Sequence, residues 1–467
     1  RFWDQDLGPG QPRLYIADLA ALETALAGVE DPRLTLRDIT PDAGRHLGAE
    51  PAAQLAWDGS FVAAQWTVFE ARGEQRTQIV SIDTATGERT VLLDEEGVEF
   101  YAPTISPCGE RLAFVSDPKS TPVRAPHPRL EVLDLASGER HWLLGGWDNW
   151  PGTCEWLPDG SALLMHADEN GRSPLFLVPA DGGEITRLTG EGAYTHARVL
   201  PDGSAVLALR ASYEYPAEPV RVDLTAARTS AEFTEGEAGV VVLAAPAPRP
   251  ELPGRLEEVE AIAPDGQRIR AFLALPHGAS AATPAPLLLW IHGGPLGSWN
   301  SWSWRWCPWL MVAAGYAVLL PDPAMSTGYG QHMIERGWGN WGPPTLADVL
   351  ASTDAALERE DLDPDRTAAM GGSFGGYMAN WTAGHTDRFK AIVTHASLWA
   401  LDQFGPTTDA AFYWSRELSA EQMEDNSPHR SVENIVTPML VIHGDKDYRV
   451  PIGEGLRLWW ELLSKSG

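Results

Sequence analysis

A tight turn followed by an apolar strand recurs along the first half of the chain, and this repeat limits the possible folds most strongly. The repeats read "WDGSF", "SPCGERLAF", "LPDGSALLM" and "LPDGSAVLA", beginning at Trp57, Ser106, Leu157 and Leu200. Asp-Gly pairs supply the positive φ angles that tight hairpins need. Alternating stretches such as "LEVLDL" follow, with one face directed inward. A period of roughly 40–50 residues with four short strands per unit is typical of β-propeller blades.

These units predict a β-propeller domain over residues 1–243, and a β-sandwich is the alternative. The stretch "RLYIADL", beginning at Arg13, is interpreted as the end of an earlier blade, so the propeller is expected to be truncated at its amino end. The fourth unit ends in a degenerate stretch, "PVRVDLTAART". Residues 244–258 are rich in proline at their start and are expected to form a stiff linker.

Residues 259–467 alternate between strand and helix patterns, which predicts a mostly parallel sheet with helices on both faces. The run "APLLLWIHGG" is a continuous apolar segment that ends in glycines, as a buried parallel strand does. The stretch "LADVLASTDAALERE" has helical spacing. "FKAIVTHAS" and "TPMLVIHGDKD" predict two more strands. The pattern therefore predicts a β-propeller followed by a doubly wound, mostly parallel α/β domain.

Composition narrows the classes of partner. The formal net charge of −29 argues against nucleic acid and against an anionic membrane surface. Three cysteines are too few for a disulfide framework, so a reduced, cytoplasmic setting is expected. No apolar run approaches the roughly 20 residues that span a bilayer. No metal or nucleotide motif is present, so no cofactor is expected, while a homo-oligomer remains open.

The motif that most clearly indicates catalysis is "GGSFGG", which places Ser373 in the pattern G-x-S-x-G. A strand is predicted before this pattern and a helix after it, as a nucleophile elbow requires. Such a turn exposes the serine hydroxyl at a helix amino end, where N–H groups can stabilise an oxyanion. The glycine-rich turn "HGGP" follows the first long strand. We therefore assign the oxyanion hole to the N–H groups of Gly294 and Phe374.

A serine nucleophile needs a base, and in this fold type an acid and then a histidine follow it along the chain. Asp445 and Asp447 both come just after the strand that begins at Met439. No histidine follows Asp447 before Gly467. We therefore expect the catalytic histidine to lie beyond Gly467.

The order "HGGP", "STGYG", "GGSFGGYMA" and "HGDKDYRVP" resembles the prolyl oligopeptidase family of serine peptidases, nearest to its acylaminoacyl-peptidase and dipeptidyl-aminopeptidase branch. The resemblance implies a β-propeller followed by an α/β-hydrolase domain as the fold class. It is specific over residues 286–460 and only architectural before them. It implies Ser373 as nucleophile, Asp447 as triad acid and a histidine about thirty residues after that acid. It also implies that Arg449 helps to bind the substrate backbone and that the propeller admits only short peptides.

One loop departs from the family pattern, because Asp322, Pro323, Ala324 and Met325 stand where many members have Asn-x-Arg-Gly. This leaves the branch and its specificity open. Arg305, in the Trp-rich run "SWNSWSWRWCPW", is a further candidate for substrate binding.

Three functions compete at this point. An acylaminoacyl-peptidase-like exopeptidase is favoured, with a dipeptidyl aminopeptidase or a carboxy-terminal exopeptidase as alternatives. A carboxylesterase on the same catalytic frame is the second, and a non-catalytic interaction propeller is the third. The propeller favours a peptidase, because simple esterases rarely need a domain that restricts access to the site.

Overall fold

The computed structural model describes residues 2–5, 8–18, 35–48, 52–225 and 239–466. Four four-stranded antiparallel sheets in the first half are followed by one seven-stranded sheet. A two-stranded sheet of β1 (Tyr15–Ile16) and β2 (Arg37–Asp38) precedes them. Residues 226–229 of the predicted degenerate unit lie outside the described residues.

Each four-stranded sheet is a meander whose strands pair in chain order. The first two sheets contain β3 (Ala53–Leu55), β4 (Phe61–Phe69), β5 (Gln75–Asp83), β6 (Arg89–Leu93), β7 (Val98–Ile105), β8 (Arg111–Pro118), β9 (Arg129–Asp134) and β10 (Arg140–Trp142). The next two contain β11 (Cys154–Trp156), β12 (Ala162–His166), β13 (Leu175–Pro179), β14 (Thr186–Arg187), β15 (Ala193–Val199), β16 (Ala205–Ser212), β17 (Tyr215–Asp223) and β18 (Val240–Val242). The predicted blades are confirmed.

Apolar side chains hold neighbouring blades face to face. One buried cluster combines Leu163 and Val178 of the third sheet with Ala113 and Val132 of the second. Similar clusters join the first sheet to the second and the third to the fourth. The second and third sheets therefore pack against a neighbouring blade on both faces, and the first and fourth do so on one face.

The second domain is built on a sheet with strand order β19-β20-β22-β21-β23-β24-β25. These strands are β19 (Gly254–Ile262), β20 (Arg268–Pro276), β21 (Ala285–Ile291), β22 (Ala317–Pro321), β23 (Leu362–Gly372), β24 (Ala391–His395) and β25 (Met439–Ile442). The last five strands in the order run parallel, and β19 and β20 are antiparallel. The α/β-hydrolase prediction is confirmed.

Helices cover this sheet. They are α1 (Pro308–Ala313), α2 (Gln331–Gly337), α3 (Gly342–Leu357), α4 (Phe374–His385), α5 (Leu401–Thr407), α6 (Ala411–Glu417), α7 (Ala420–Asp425) and α8 (Ile452–Lys465). Two 3-10 helices span Ala71–Gly73 and Pro428–Asn434. Within the described ranges, no helix combines the length and apolar character needed to cross a membrane.

The predicted linker of residues 244–258 extends too far, because its last five residues belong to strand β19. Gly254–Ile262 pairs residue by residue with β20, from Gly254 opposite Pro276 to Ile262 opposite Arg268. The charged stretch "RLEEVE" is part of strand β19, in which Val259 and Ala261 are buried. Its glutamates face arginines instead of open solvent, as the contact of Glu258 with Arg270 at 2.8 Å shows.

Helix α6 joins the two domains through charged side chains. Arg416 contacts Glu99 of strand β7 at 3.1 Å. Glu417 is buried and accepts a short hydrogen bond from the hydroxyl of Ser120. Burial raises the pKa of Glu417 to about 7, and the hydrogen bond from Ser120 opposes that rise. The interface therefore contains a carboxyl group that is readily protonated.

Stability is expected to depend on this carboxyl group. The folded state raises the pKa of Glu417 above the unfolded value, so its stabilising contribution is full below the unfolded pKa of about 4.5 and is lost as pH rises through about 7. Glu417→Gln should make the fall in the free energy of unfolding between about pH 5 and about pH 8 shallower. Denaturant unfolding across this range measures the slope. The exposed Glu421→Gln serves as control, and equal slopes in both variants would contradict the assignment.

Candidate active site

Ser373 lies on a strained turn between strand β23 and helix α4. The strand ends at Gly372, the helix begins at Phe374, and Ser373 between them has φ 57° and ψ −124°. Non-glycine residues rarely adopt this conformation, and such strain concentrates at functional positions. The side chain is only partly buried, whereas both neighbours are buried. The geometry is that of a nucleophile elbow.

The glycines around Ser373 are needed because backbone segments touch there. A Cβ atom at Gly375 would lie 2.1 Å from the carbonyl oxygen of Ile291, at the end of strand β21. A Cβ atom at Gly371 would lie 2.3 Å from the carbonyl of Gly375. The first turn of α4 therefore packs directly against two strands. This contact explains why so much glycine surrounds one hydroxyl.

The "HGGP" loop adjoins the serine. A Cβ atom at Gly293 would lie 3.4 Å from Cβ and 4.0 Å from Oγ of Ser373. The loop is fixed from behind, because His292 Nε2 and the hydroxyl of Ser326 lie 2.9 Å apart. Burial lowers the pKa of His292, which favours a neutral ring. Both ring nitrogens of His292 have partners, in the Gly293 carbonyl and the Ser326 hydroxyl, so the ring supports the loop.

The two N–H groups assigned to the oxyanion hole belong to the residue after Ser373 and to the "HGGP" loop beside it. Phe374 is the first residue of α4, and the first N–H of a helix has no intrahelical acceptor. Gly294 comes directly after the glycine that approaches Ser373. Within the described residues, neither N–H group donates a hydrogen bond outside regular secondary structure. Both are thus available, and their role stays a prediction.

Asp447 and Asp445 have different environments. Asp447 Oδ1 accepts hydrogen bonds from the backbone N–H groups of Arg449, at 3.1 Å, and Val450, at 2.9 Å. Its Oδ2 lies 4.0 Å from His443 Nε2, beyond hydrogen-bond range. Asp445 is exposed. Asp447 is therefore oriented with one oxygen left for a further donor, as a triad acid must be.

Histidines within the described chain do not supply the base. His443 Nε2 donates to the carbonyl of Val450 at 2.7 Å, so its ring is packed. His385 stacks on Trp381. His395 is nearest the elbow, because its carbonyl accepts the N–H of Ser373 at 3.0 Å. Its ring packs edge-on against Trp306, 5.4 Å away between centroids. None of the described histidines hydrogen-bonds to Ser373 Oγ.

Both arginines predicted to bind substrate lie near these groups. The Arg449 guanidinium donates from Nε to Asp409 Oδ1 at 2.7 Å. Arg305 is exposed and lies over the ring of Trp306. The pKa of His395 is lowered, chiefly by burial and next by the charge of Arg305. Sequence reasoning missed Asp409, since nothing in its surroundings, "PTTDAAF", marks it as a partner of Arg449.

The loop that departs from the family pattern is structural. Asp322 is fully buried and accepts hydrogen bonds from the Trp299 N–H at 2.8 Å and the Tyr329 hydroxyl at 2.6 Å. Met325 is also fully buried, at a φ of 73°. A Cβ atom at Gly337 would lie 2.6 Å from Met325 Cγ. These side chains fill the domain interior and contribute no group to the surface beside Ser373.

A β-propeller followed by an α/β-hydrolase domain with a nucleophile elbow defines the structural class. Residues 302–467 match the family described as "Prolyl oligopeptidase family", which confirms the resemblance and places this part of the chain in that family. The matched region begins within the hydrolase domain, so the propeller lies outside it.

Two relatives illustrate this similarity. Dipeptidyl-peptidase 5 of Aspergillus fumigatus is 31% identical over 383 residues, covering 77% of this chain and 50% of the relative. Dipeptidyl-peptidase 5 of Porphyromonas gingivalis is 29% identical over 366 residues, covering 76% of this chain and 52% of the relative. The chain thus spans about half the length of the curated relatives it matches.

Solved structures share the fold. An acylaminoacyl peptidase of Pyrococcus horikoshii superposes with a TM-score of 0.73 at 19% identity, covering 94% of this chain and 66% of that one. A puromycin-hydrolyzing peptidase of Mycobacterium tuberculosis gives a TM-score of 0.70 at 20% identity, covering 99% and 78%. At this identity the comparison supports the architecture alone.

The elbow predicts how substitutions will behave. Gly375→Ala should destabilise the protein by about 3 kcal/mol, because the new methyl group would collide with the Ile291 carbonyl. Gly278→Ala is the control, since nothing lies within 4 Å of a Cβ atom there. It should change the free energy of unfolding by less than about 1 kcal/mol. Equal stability of the two variants in denaturant unfolding would contradict the packing.

Proposed function

We propose that the protein is a serine peptidase that hydrolyses short peptides through an acyl-enzyme. The backbone of Ser373 carries this proposal, since a partly exposed hydroxyl at φ 57° on a strand-to-helix turn is costly for a merely structural serine. The family match over residues 302–467 and the peptidase names of the relatives support it. Cytoplasmic location and assembly into homo-oligomers remain predictions from composition and family.

The chain's own groups would act in sequence. Ser373 Oγ attacks the scissile carbonyl carbon, and its proton passes to a histidine that Asp447 Oδ2 orients. The N–H groups of Gly294 and Phe374 donate to the oxyanion. The leaving amine departs with the proton, and water then hydrolyses the ester. Each oxyanion donor is worth about 3 kcal/mol in the barrier.

This mechanism needs a histidine that the described part of the chain does not bring to Ser373. One observation fits a triad that such a histidine would complete. Asp447 has one carboxylate oxygen without a hydrogen bond among the described residues.

The relatives refine the expected substrates. The sequence alone favoured an acylaminoacyl-peptidase-like exopeptidase, with dipeptidyl release as an alternative. The relatives at 31% identity are named dipeptidyl-peptidases, whereas the acylaminoacyl peptidase structures are about 20% identical. We therefore propose release of dipeptides from a free amino terminus. Matched peptides with free and acetylated amino termini test this direction, and faster cleavage of the acetylated peptide would restore the acylaminoacyl assignment.

Covalent labelling tests the nucleophile. In the complete protein, a serine-directed phosphonate should form a single adduct on Ser373, which intact and peptide mass spectrometry detect. Ser373→Ala should abolish both the adduct and peptide hydrolysis, because no other hydroxyl occupies the elbow. Ser60→Ala, at an exposed propeller turn, should label normally. An adduct on another residue would refute the assignment.

A matched pair of substitutions tests the acid. Asp447→Asn should lower kcat roughly 10³–10⁴-fold, because an amide cannot hold the histidine in the required tautomer. Asp445→Asn should stay within about twofold of wild type, since substitution of an exposed group away from the chemistry has little effect. Steady-state hydrolysis of a peptide anilide measures both. The reverse order of effects would assign the acid to Asp445.

A further inference from the structure

The first described residues of the chain form a small turn that is anchored to the hydrolase domain. The N–H and C=O groups of Phe2 pair with those of Gln5, at 3.0 and 2.9 Å. The N–H of Trp3 donates to Asp409 Oδ2 at 2.6 Å, and the carbonyl of Trp3 accepts from the N–H of Tyr448 at 2.8 Å. The turn is therefore bound on both sides to loops next to the catalytic acid.

Asp409 organises this contact. Its side chain is 1% exposed and accepts from Nε of Arg449 at 2.7 Å and from Nη2 at 3.4 Å. The main chain is tied as well, since the Asp409 N–H donates to the Tyr448 carbonyl at 2.9 Å and the Thr408 hydroxyl to the Arg449 carbonyl at 2.7 Å. One edge of the guanidinium is thus fixed. Within the described residues, Nη1 has no hydrogen-bond acceptor.

Trp3 covers the flat face of this guanidinium. The Arg449 Cζ atom lies 4.2 Å from the centroid of the indole and 5.8 Å from that of the Phe2 ring. Trp3 is nevertheless 50% exposed, so part of the indole remains free for another contact. The result is an aromatic surface beside a hydrogen-bond donor, two residues along the chain from Asp447.

We propose that Trp3 forms a subsite for one side chain of a peptide substrate, and that this subsite prefers a bulky apolar side chain. The family resemblance already implies that Arg449 contacts the substrate backbone. The exposed part of the indole, which stacks on that guanidinium, packs on the neighbouring side chain. Asp409 neutralises the guanidinium, so the subsite offers little attraction to an acidic side chain. Asp409 is a positioning residue. This inference rests on the proposed peptidase function.

The test compares short peptides that carry phenylalanine or glycine at each position next to the scissile bond. In the complete protein, Trp3→Ala should reduce the ratio of kcat/KM for phenylalanine over glycine about tenfold at one position, mainly through KM. Trp3→Phe should retain most of the preference. Trp57→Ala, which removes another exposed tryptophan of the propeller, should retain all of it. Phosphonate labelling of Ser373 counts competent sites in every variant.

Asp409→Asn provides a second measurement. Loss of the carboxylate charge frees the guanidinium, so KM should rise for all peptides while the labelled fraction and kcat change little. A purely structural role would instead lower the labelled fraction.

Each outcome decides the question. The subsite is supported if Trp3→Ala loses the preference for phenylalanine while Trp3→Phe and Trp57→Ala keep it. If Trp3→Ala cleaves the peptides with an unchanged preference for phenylalanine, the subsite is refuted and the proposed peptidase function is not affected. Failure of the wild-type protein to cleave any peptide overturns the proposed function and the subsite with it. If Trp3→Ala does not fold, Trp3→Phe decides, and a preference lost in that variant counts against the subsite.

Discussion

Direct contact between backbones at the elbow is the constraint on which the site depends. The first turn of helix α4 touches the end of strand β21 at Gly375, where no side-chain atom fits between them. Because β21 continues directly into the "HGGP" loop, the same contact fixes the distance between that loop and the hydroxyl of Ser373. One steric requirement therefore places the Ser373 hydroxyl beside the backbone of the "HGGP" loop before any charged group is considered.

The surroundings of the site belong to both domains. The hydroxyl of Thr327, in the loop after strand β22, donates to Asp168 of the propeller at 2.6 Å. Helix α6 reaches the propeller through Arg416, and the turn at Trp3 is tied to Asp409. These hydrolase segments are thus held from the propeller side, and their positions depend on contacts between the two domains.

Much of the fold and of the candidate site could be predicted from short sequence motifs. Asp-Gly turns and strand alternation identified the blades, and G-x-S-x-G between a strand and a helix identified the elbow, because each signal lies within a few neighbouring residues. The end of the linker was wrong, since the charges of strand β19 are matched by arginines on β20. Asp409 and Trp3 were missed because they are 406 positions apart and neither stands in a motif. The choice between Asp445 and Asp447 came from resemblance, and hydrogen bonds to Asp447 now give it a physical reason.

The loop after strand β22 also limits how this sequence can diverge. Met325 adopts a left-handed backbone conformation, and it fills the space that a side chain at Gly337 would need. A larger residue at 337 becomes tolerable only after residue 325 has become smaller, so the two positions are sterically coupled although eleven residues separate them in the chain.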